Sequence, residues 1–339
     1  MYKTLLKYLF CCFPLIVSCE KAVIEKDAQT DAEAVFEEVW SFADRYYSFF
    51  EYKEIDWDEV YSRYRPQVRE GMSDVELFDL CADMLYELKD GHVNLVGPFD
   101  RSRYWEWYLD SPENFYYSII ERNYFKDRQR YIGPLEFLEM NDIIYIYYGS
   151  FAQPISKGNM AQIIGALEDK SGLIIDVRNN GGGSTENARM LASHFTDEKV
   201  FAGYNYMKDG PEHDDFRRRE VHIEPSSVNY TGDVIVLTNR KSYSATTYFV
   251  QYMSELPNVT FVGDTTGGGG GMPAFRDLPN GWLLRVSSTM FYSPDGFNIE
   301  SGIPPDVQVD MSKESISEGR DDILDTAVNL LENEAALEE

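Results

Sequence analysis

Hydrophobic positions follow a helical spacing in the first third of the chain. Between residues 31 and 98, three segments place apolar side chains every three or four positions, which predicts three amphipathic helices. Two of these segments begin with capping-box sequences, at residues 30–33 and 73–76. We therefore expect an N-terminal helical domain over residues 31–98.

The pattern changes to short apolar runs beyond residue 141. Residues 143–148, 173–178, 234–237 and 259–262 are typical of buried strands, and helical spacing separates them. Strands that alternate with helices predict an α/β layered domain, here over residues 141–312. Residues 99–140 are aromatic with weak periodicity, and we expect short strands and loops in this mixed connecting segment. The tail, residues 313–339, is expected to form one acidic helix.

The first residues have the pattern of an export signal. Two lysines precede a nine-residue apolar run that ends at Ser18-Cys19. Residues 16–19 are similar to a bacterial lipobox, so we expect residues 1–18 to be a lipoprotein signal peptide, Cys19 to be lipidated and residues 19–30 to be a tether. An ordinary signal peptide is the alternative. Glu20 after the cysteine favours the outer membrane, which predicts a cell-envelope lipoprotein anchored through its lipid.

Charge and composition limit the kinds of molecule that the protein is expected to bind. The formal net charge of −27 makes nucleic acid and anionic membrane surfaces poor partners. The four histidines match no ligand spacing typical of a metal site, and no organic cofactor motif is present. We therefore expect neither a metal nor a cofactor. Cys81 lies on the apolar side of a predicted helix and is interpreted as an inert core residue.

Ser244 is the most informative candidate for chemistry. The apolar run 234–237 leads into a polar turn, and a helix is predicted to begin at or just after Ser244. A serine at such a strand-to-helix turn is exposed beside the positive end of a helix dipole, as a nucleophile requires. The alternative is that Ser244 only caps the helix.

Other segments supply candidates for the remaining parts of a serine hydrolase. His92 follows a predicted helix end and can face a cleft as a general base. Residues 179–183 join a strand to a helix through three glycines, whose amides suit an oxyanion. Gly267, Gly268 and Gly269 belong to a run of five glycines that we interpret as a flexible loop lining the cleft, with a structural linker as the alternative.

Three motifs in this order resemble the C-terminal-processing (tail-specific) serine protease family, specifically its tricorn-core-like branch. They are residues 174–183, 244–246 and 262–267. The resemblance implies a crotonase/Clp-protease-like core and makes Ser244 the nucleophile. It also implies that the amides of Gly182 and Ala245 form the oxyanion hole. From the same resemblance, His92 is the base and Glu300 the acid that orients it.

The chain also departs from the family pattern. The lysine base of the tail-specific branch would fall at Gly269, and no lysine occurs between Lys241 and Lys313. The tricorn-like branch has a serine before its histidine, where this chain has Gly91. No PDZ insert is recognisable between the helical domain and the core.

These observations predict a serine peptidase that hydrolyses peptide bonds through Ser244, His92 and Glu300, with a peptide or protein as substrate. One rival is a degenerate surface lipoprotein that binds peptides or glycans without cutting them. Another is a crotonase-type acyl-CoA enzyme, which an exported location disfavours. The sequence does not indicate the oligomeric state.

Overall fold

The structure is a computed structural model that describes residues 31–338. The predicted signal peptide, Cys19 and the tether therefore lie outside the described residues. Three helices open the described part, as the spacing predicts: Ala32–Tyr46, Trp57–Tyr64 and Asp74–Tyr86. Asp31, Asp56 and Ser73 cap them through their side chains, and Ser73 forms the predicted capping box with Glu76.

A seven-stranded sheet, called the central sheet below, forms the middle of the molecule. Its first five strands in spatial order are parallel and its last two are antiparallel additions at one edge. The four apolar runs of the sequence supply its inner strands, each within a residue or two of the predicted bounds. In spatial order the strands are Val307–Gln308, Val259–Gly263, Val234–Thr238, Gly172–Asp176, Ile143–Tyr147, Leu135–Met140 and Arg130–Ile132.

Two smaller antiparallel sheets accompany it. The four-stranded sheet, called the flanking sheet below, contains Pro273–Asp277, Leu283–Ser287, Asn94–Val96 and Arg101–Arg103 in that order. A three-stranded sheet contains Thr289–Tyr292, Val200–Lys208 and Phe216–Ile223.

Helices cover both faces of the central sheet and produce two apolar cores. Leu173, Ile175 and Val236 point to one face and pack with the helices near them, while Ile174, Ile235 and Leu237 point to the other. The remaining helices are Glu106–Leu109, Tyr117–Ile119 with its π-helical continuation Ile120–Phe125, Lys157–Ala166, Thr185–Ala192, Ala245–Ser254, Lys313–Glu318 and Asp322–Glu338, and two 3₁₀ turns are Arg65–Gln67 and Ile299–Ser301.

The N-terminal helices do not form a core of their own. Their buried side chains pack with Leu95, Trp282, Leu284 and Val286 of the flanking sheet, so this unit draws on chain far beyond the expected boundary at residue 98. The tail also differs from expectation. It forms two helices rather than one, because Gly319 adopts a left-handed conformation (φ 73°) that ends the first. Among the described helices, none combines the length and apolarity needed to cross a membrane.

Candidate active site

Ser244 lies in the turn between the strand Val234–Thr238 and the helix Ala245–Ser254, with its backbone in a strained conformation. Its φ is 61° and its ψ is −123°, values that a residue with a side chain rarely adopts. The hydroxyl makes no capping bond to the helix, so the alternative role as an N-cap does not hold. The Ser244 amide donates to the Gly268 carbonyl at 2.9 Å, which helps to hold this turn. This strained turn leaves the Ser244 hydroxyl free of the helix and available to a neighbouring side chain.

The imidazole of His92 meets that hydroxyl. Its Nε2 lies 3.0 Å from Ser244 Oγ, although 152 residues separate the two in sequence. Burial lowers the pKa of His92 from its ordinary 6.5 to about 3, partly opposed by the Asp90 carboxylate. The ring is therefore neutral at pH 7 and available to accept a proton. Its Nδ1 is buried and has no hydrogen-bond partner within residues 31–338.

Glu300 does not contact the imidazole in this structure, contrary to the expectation that it orients His92. Its carboxylate accepts from Lys53 Nζ at 2.8 Å and from the Gly270 amide at 2.8 Å. Burial raises the pKa of Glu300 from 4.5 to about 7, partly opposed by Lys53. Among the described residues, the Glu300 carboxylate is thus bonded to Lys53 and to the glycine run and not to His92 Nδ1.

Lys53 and Asp90 complete a partly buried charge cluster beside His92. Lys53 Nζ lies 3.8 Å from Asp90 Oδ2, and Asp90 Oδ1 accepts from the His92 amide at 2.7 Å. Burial disfavours the charged Asp90, yet Lys53 and His92 hold its pKa below 3.8. Sequence reasoning missed Lys53, which sits in an unpatterned stretch. The spacing Asp90-Gly91-His92 could have indicated Asp90, since an Asp two residues before an amide commonly caps it.

The two predicted oxyanion donors, Gly182 and Ala245, lie close to Ser244 and to each other. A Cβ placed on Gly182 would come within 2.7 Å of Ser244 Cβ, so only glycine fits against the serine here. The Ala245 amide begins the helix and has no acceptor among the described residues. The Gly182 amide differs, because it donates to Asn180 Oδ1 at 3.0 Å. An incoming oxyanion would compete with that side chain.

The run of five glycines lines the cavity beside the site at Gly267 and Gly269, and its backbone is packed and hydrogen-bonded where a flexible loop was expected. Residues 267–271 are all buried. The Gly267 amide donates to the Ser242 carbonyl at 2.7 Å, and the Gly270 carbonyl accepts from Tyr248 Oη at 2.6 Å. A Cβ on Gly268 would overlap the Glu300 carbonyl. The glycines therefore allow close backbone packing behind Ser244.

Tyr243 fills the space beside Gly269 and Gly91, the two positions at which this chain departs from the family pattern. A Cβ on Gly269, where the tail-specific branch has lysine, would overlap the Tyr243 ring. A Cβ on Gly91 would lie 2.7 Å from Tyr243 Oη and 2.8 Å from Trp107 Nε1. Trp107 stacks on Tyr243 with ring centroids 4.2 Å apart. An aromatic pair thus replaces both polar side chains.

A cavity of about 770 Å³ opens on this side of the site. Tyr243, Gly269, Glu300 and Lys53 line it, together with both acidic and basic side chains of the N-terminal helices. Among the described residues, no group of three His, Cys, Asp or Glu side chains is arranged to hold a metal ion.

Comparison with known proteins agrees with this architecture. Residues 142–309 match peptidase family S41, and residues 28–86 match the tricorn protease C1 domain. Ser244 and Glu300 fall inside the first segment, whereas His92 falls in neither. The crystal structure of a candidate peptidase from Parabacteroides merdae is 42% identical, with a TM-score of 0.85, over 89% of this chain and 97% of that one. The chain belongs to peptidase family S41.

More distant relatives agree on family and fold. The carboxy-terminal processing protease CtpA of Bacillus subtilis is 28% identical over 50% of this chain, and the match spans only 36% of that protein. The photosystem II D1 C-terminal processing protease shares the fold at 16% identity, with a TM-score of 0.55 over 83% of this chain and 94% of that one. The predicted family and the predicted α/β core with helical N-terminal region are confirmed.

Proposed function

We propose that this protein is a serine peptidase in which Ser244 attacks a peptide carbonyl while His92 takes its proton. The observation that carries the proposal is the 3.0 Å contact between His92 Nε2 and Ser244 Oγ at a strained strand-to-helix turn. The low pKa of His92 keeps the ring neutral before attack. The imidazolium then returns the proton to the leaving amine, and water releases the acyl group by the same route.

The remaining groups of the proposed site stabilise charge. The Ala245 amide and the Gly182 amide hold the oxyanion, and Asn180 releases Gly182 when the substrate binds. Glu300 keeps its place as the acid of a Ser-His-Glu triad, and in this proposal its carboxylate exchanges Lys53 for His92 Nδ1 when the imidazolium forms. Asp90 is the second carboxylate to act on it, because its charge already raises the pKa of His92.

Labelling with a fluorophosphonate probe tests the nucleophile and its base. We expect the wild type to be labelled, and Ser244→Ala and His92→Ala to lose the label and to lose peptide turnover by about 10⁴-fold. Ser254→Ala, at the far end of the same helix, is the matched control and should be labelled normally. Label that persists in Ser244→Ala would refute the site. An unlabelled wild type that still binds peptides would support the rival binding protein.

The predicted lipid anchor and the outer-membrane location are part of the proposal. They rest on the lipobox-like residues 16–19 and on Glu20 alone. Radiolabelled palmitate should enter the wild type but not Cys19→Ala, and wild-type protein without label would contradict the anchor.

A further inference from the structure

Two arginines share one face of the flanking sheet beside His92. Strand register pairs Asn94 with Arg103 on one neighbouring strand and with Arg285 on the other. Residues that pair directly across strands point to the same face. The opposite face carries Leu95 and Leu284, which pack against the N-terminal helices. The arginines therefore point away from that core.

This face is continuous with the proposed active site. The strand Asn94–Val96 begins two residues after His92, directly beyond the turn that holds the imidazole. Arg103 Nε donates to the carbonyl of Gly91 at 2.7 Å, and the Arg103 guanidinium lies 5.8 Å from the ring centroid of Tyr243. The positive charges of Arg285 and Arg103 both act to lower the pKa of His92. Both arginines thus lie within electrostatic reach of the reacting groups.

Neither arginine has a carboxylate partner among the described residues. Arg285 donates weakly to Asn94 Oδ1 at 3.4 Å, and its Nε is buried with no acceptor. Arg103 stacks over Trp105 at 4.3 Å. Burial lowers the pKa of Arg285, and the charge of Arg103 adds to this effect. The chain has 58 acidic and 31 basic residues, so two neighbouring cations without an acid are unusual here.

We propose that Arg103 and Arg285 form a subsite that binds a carboxylate of the peptide substrate next to Ser244 and His92. This inference rests on the proposed peptidase function. A bound carboxylate would supply the acceptors that Arg285 lacks. Its negative charge would also reduce the repulsion between the two guanidinium groups. Both side chains are only partly buried, so a ligand can reach them. The carboxylate is either the C-terminus of the peptide or an Asp or Glu side chain.

Matched peptides separate these two sources. The probes are quenched fluorescent decapeptides. In one series a single Glu occupies each successive position, and in a second series Gln replaces that Glu. Every peptide is made both as a free acid and as a C-terminal amide. We expect the wild type to cleave at least one carboxylate peptide about tenfold faster, in kcat/KM, than its neutral counterpart. A preference lost on amidation identifies the C-terminus, and one lost on Glu-to-Gln exchange identifies a side chain.

Arg103→Gln and Arg285→Gln should abolish this preference, because each should lower kcat/KM about tenfold more on the carboxylate peptide than on its neutral counterpart. Arg285→Lys, which keeps the charge, should retain part of it. Arg276→Gln is the matched control, because Arg276 lies on the edge strand of the same sheet but is already paired with Glu38 at 2.6 Å. A wild type without any carboxylate preference would overturn the inference. So would an equal loss on charged and neutral peptides, which would indicate a merely structural role.

A measurement of peptide binding without cleavage tests the subsite independently of the proposed peptidase function. The affinity of the same peptides, labelled with fluorescein, is measured by anisotropy with the Ser244→Ala variant. If the wild type cleaves nothing but Ser244→Ala prefers carboxylate peptides through Arg285, the peptidase proposal fails and the subsite stands. If neutral peptides are cleaved and no carboxylate preference exists in either assay, the subsite fails and the peptidase stands.

Discussion

Two clusters of this protein each join one basic side chain to two carboxylates. In the first, Arg178 lies between Asp176 and Asp321, and all three side chains are fully buried. In the second, Lys53 lies between Glu300 and Asp90 beside the Ser244–His92 pair. The clusters contain the same kinds of charge but differ in how completely their polar atoms are bonded.

The Arg178 cluster is saturated. Its guanidinium donates to Asp176 and to both carboxylate oxygens of Asp321, at 2.6 to 3.1 Å, and to the Asn114 carbonyl at 3.2 Å. Asp176 also accepts from Tyr145 Oη at 2.9 Å. These bonds tie the end of a central strand to the start of the C-terminal helix. Nothing in the cluster is left to bind another molecule.

The Lys53 cluster is incomplete. Asp90 Oδ2 and His92 Nδ1 are buried without a hydrogen-bond partner among residues 31–338, and the pKa of Glu300 is raised to about 7. Buried polar groups are normally satisfied, and exceptions concentrate at functional sites. The two clusters contain the same kinds of charge, so charge alone does not distinguish the structural cluster from the one beside the proposed active site. They differ in their unsatisfied atoms and in their exposure, because Lys53 and Glu300 line the cavity.

The largest effect is expected from breaking the saturated cluster. Arg178→Met leaves two buried carboxylates without their cation, so we expect the free energy of unfolding to fall by about 3 to 5 kcal/mol. Urea unfolding followed by circular dichroism measures this. Arg189→Met removes an arginine from a solvent-exposed pair with Glu186 and should change the stability little. Equal losses in the two variants would contradict the structural role of the Arg178 cluster.

The sequence predicted the parts of the site that depend on local pattern. The apolar run 234–237 followed by Ser244 located the proposed nucleophile, because strand, turn and helix signals are all local. The same holds for the inner strands of the central sheet. The predicted helix end before His92 made it a candidate base, but its pairing with Ser244 came from the family resemblance, since 152 residues separate the two and only the fold brings them together.

Features that depend on long-range packing were not predictable from the sequence. Lys53 reaches Glu300 across 247 residues, and no periodicity marks either residue. The glycine run 267–271 suggested flexibility, because composition does not reveal that Tyr248, Ser242 and Glu300 bind its backbone. The contact of Glu300 with Lys53 instead of His92 also arises from tertiary structure.

A smaller effect, with a distinct pH dependence, is expected from removing Lys53. In the folded protein Glu300 keeps its proton up to about pH 7, whereas an ordinary carboxyl releases it near 4.5. The folded state therefore holds more protons between these values, and this group makes stability fall as pH rises from about 4.5 to 7. Lys53 lowers the pKa of Glu300, so Lys53→Met should extend the fall above pH 7.

Urea midpoints from pH 4 to 9 test this prediction. At pH 8 we expect Lys53→Met to be less stable than the wild type by roughly 2 kcal/mol, with a smaller difference at pH 4. The double variant Lys53→Met/Glu300→Gln should recover much of the loss, because the uncompensated carboxylate is gone. A difference that is constant with pH would mean that Lys53 stabilises the fold through packing alone.

The smallest effect concerns the position where the resemblance expects serine. Gly91→Ser adds a side chain whose Cβ would lie 2.7 Å from Tyr243 Oη, so Tyr243 or Trp107 must shift. We expect a loss of about 1 kcal/mol in stability and lower kcat/KM on a neutral peptide, rather than a gain from the added hydroxyl. Gly165→Ala is the control, because nothing lies within 4 Å of its added Cβ and alanine favours a helix. Faster cleavage by Gly91→Ser would show that His92 Nδ1 lacks only a hydroxyl partner, and that the aromatic pair is not what completes this site.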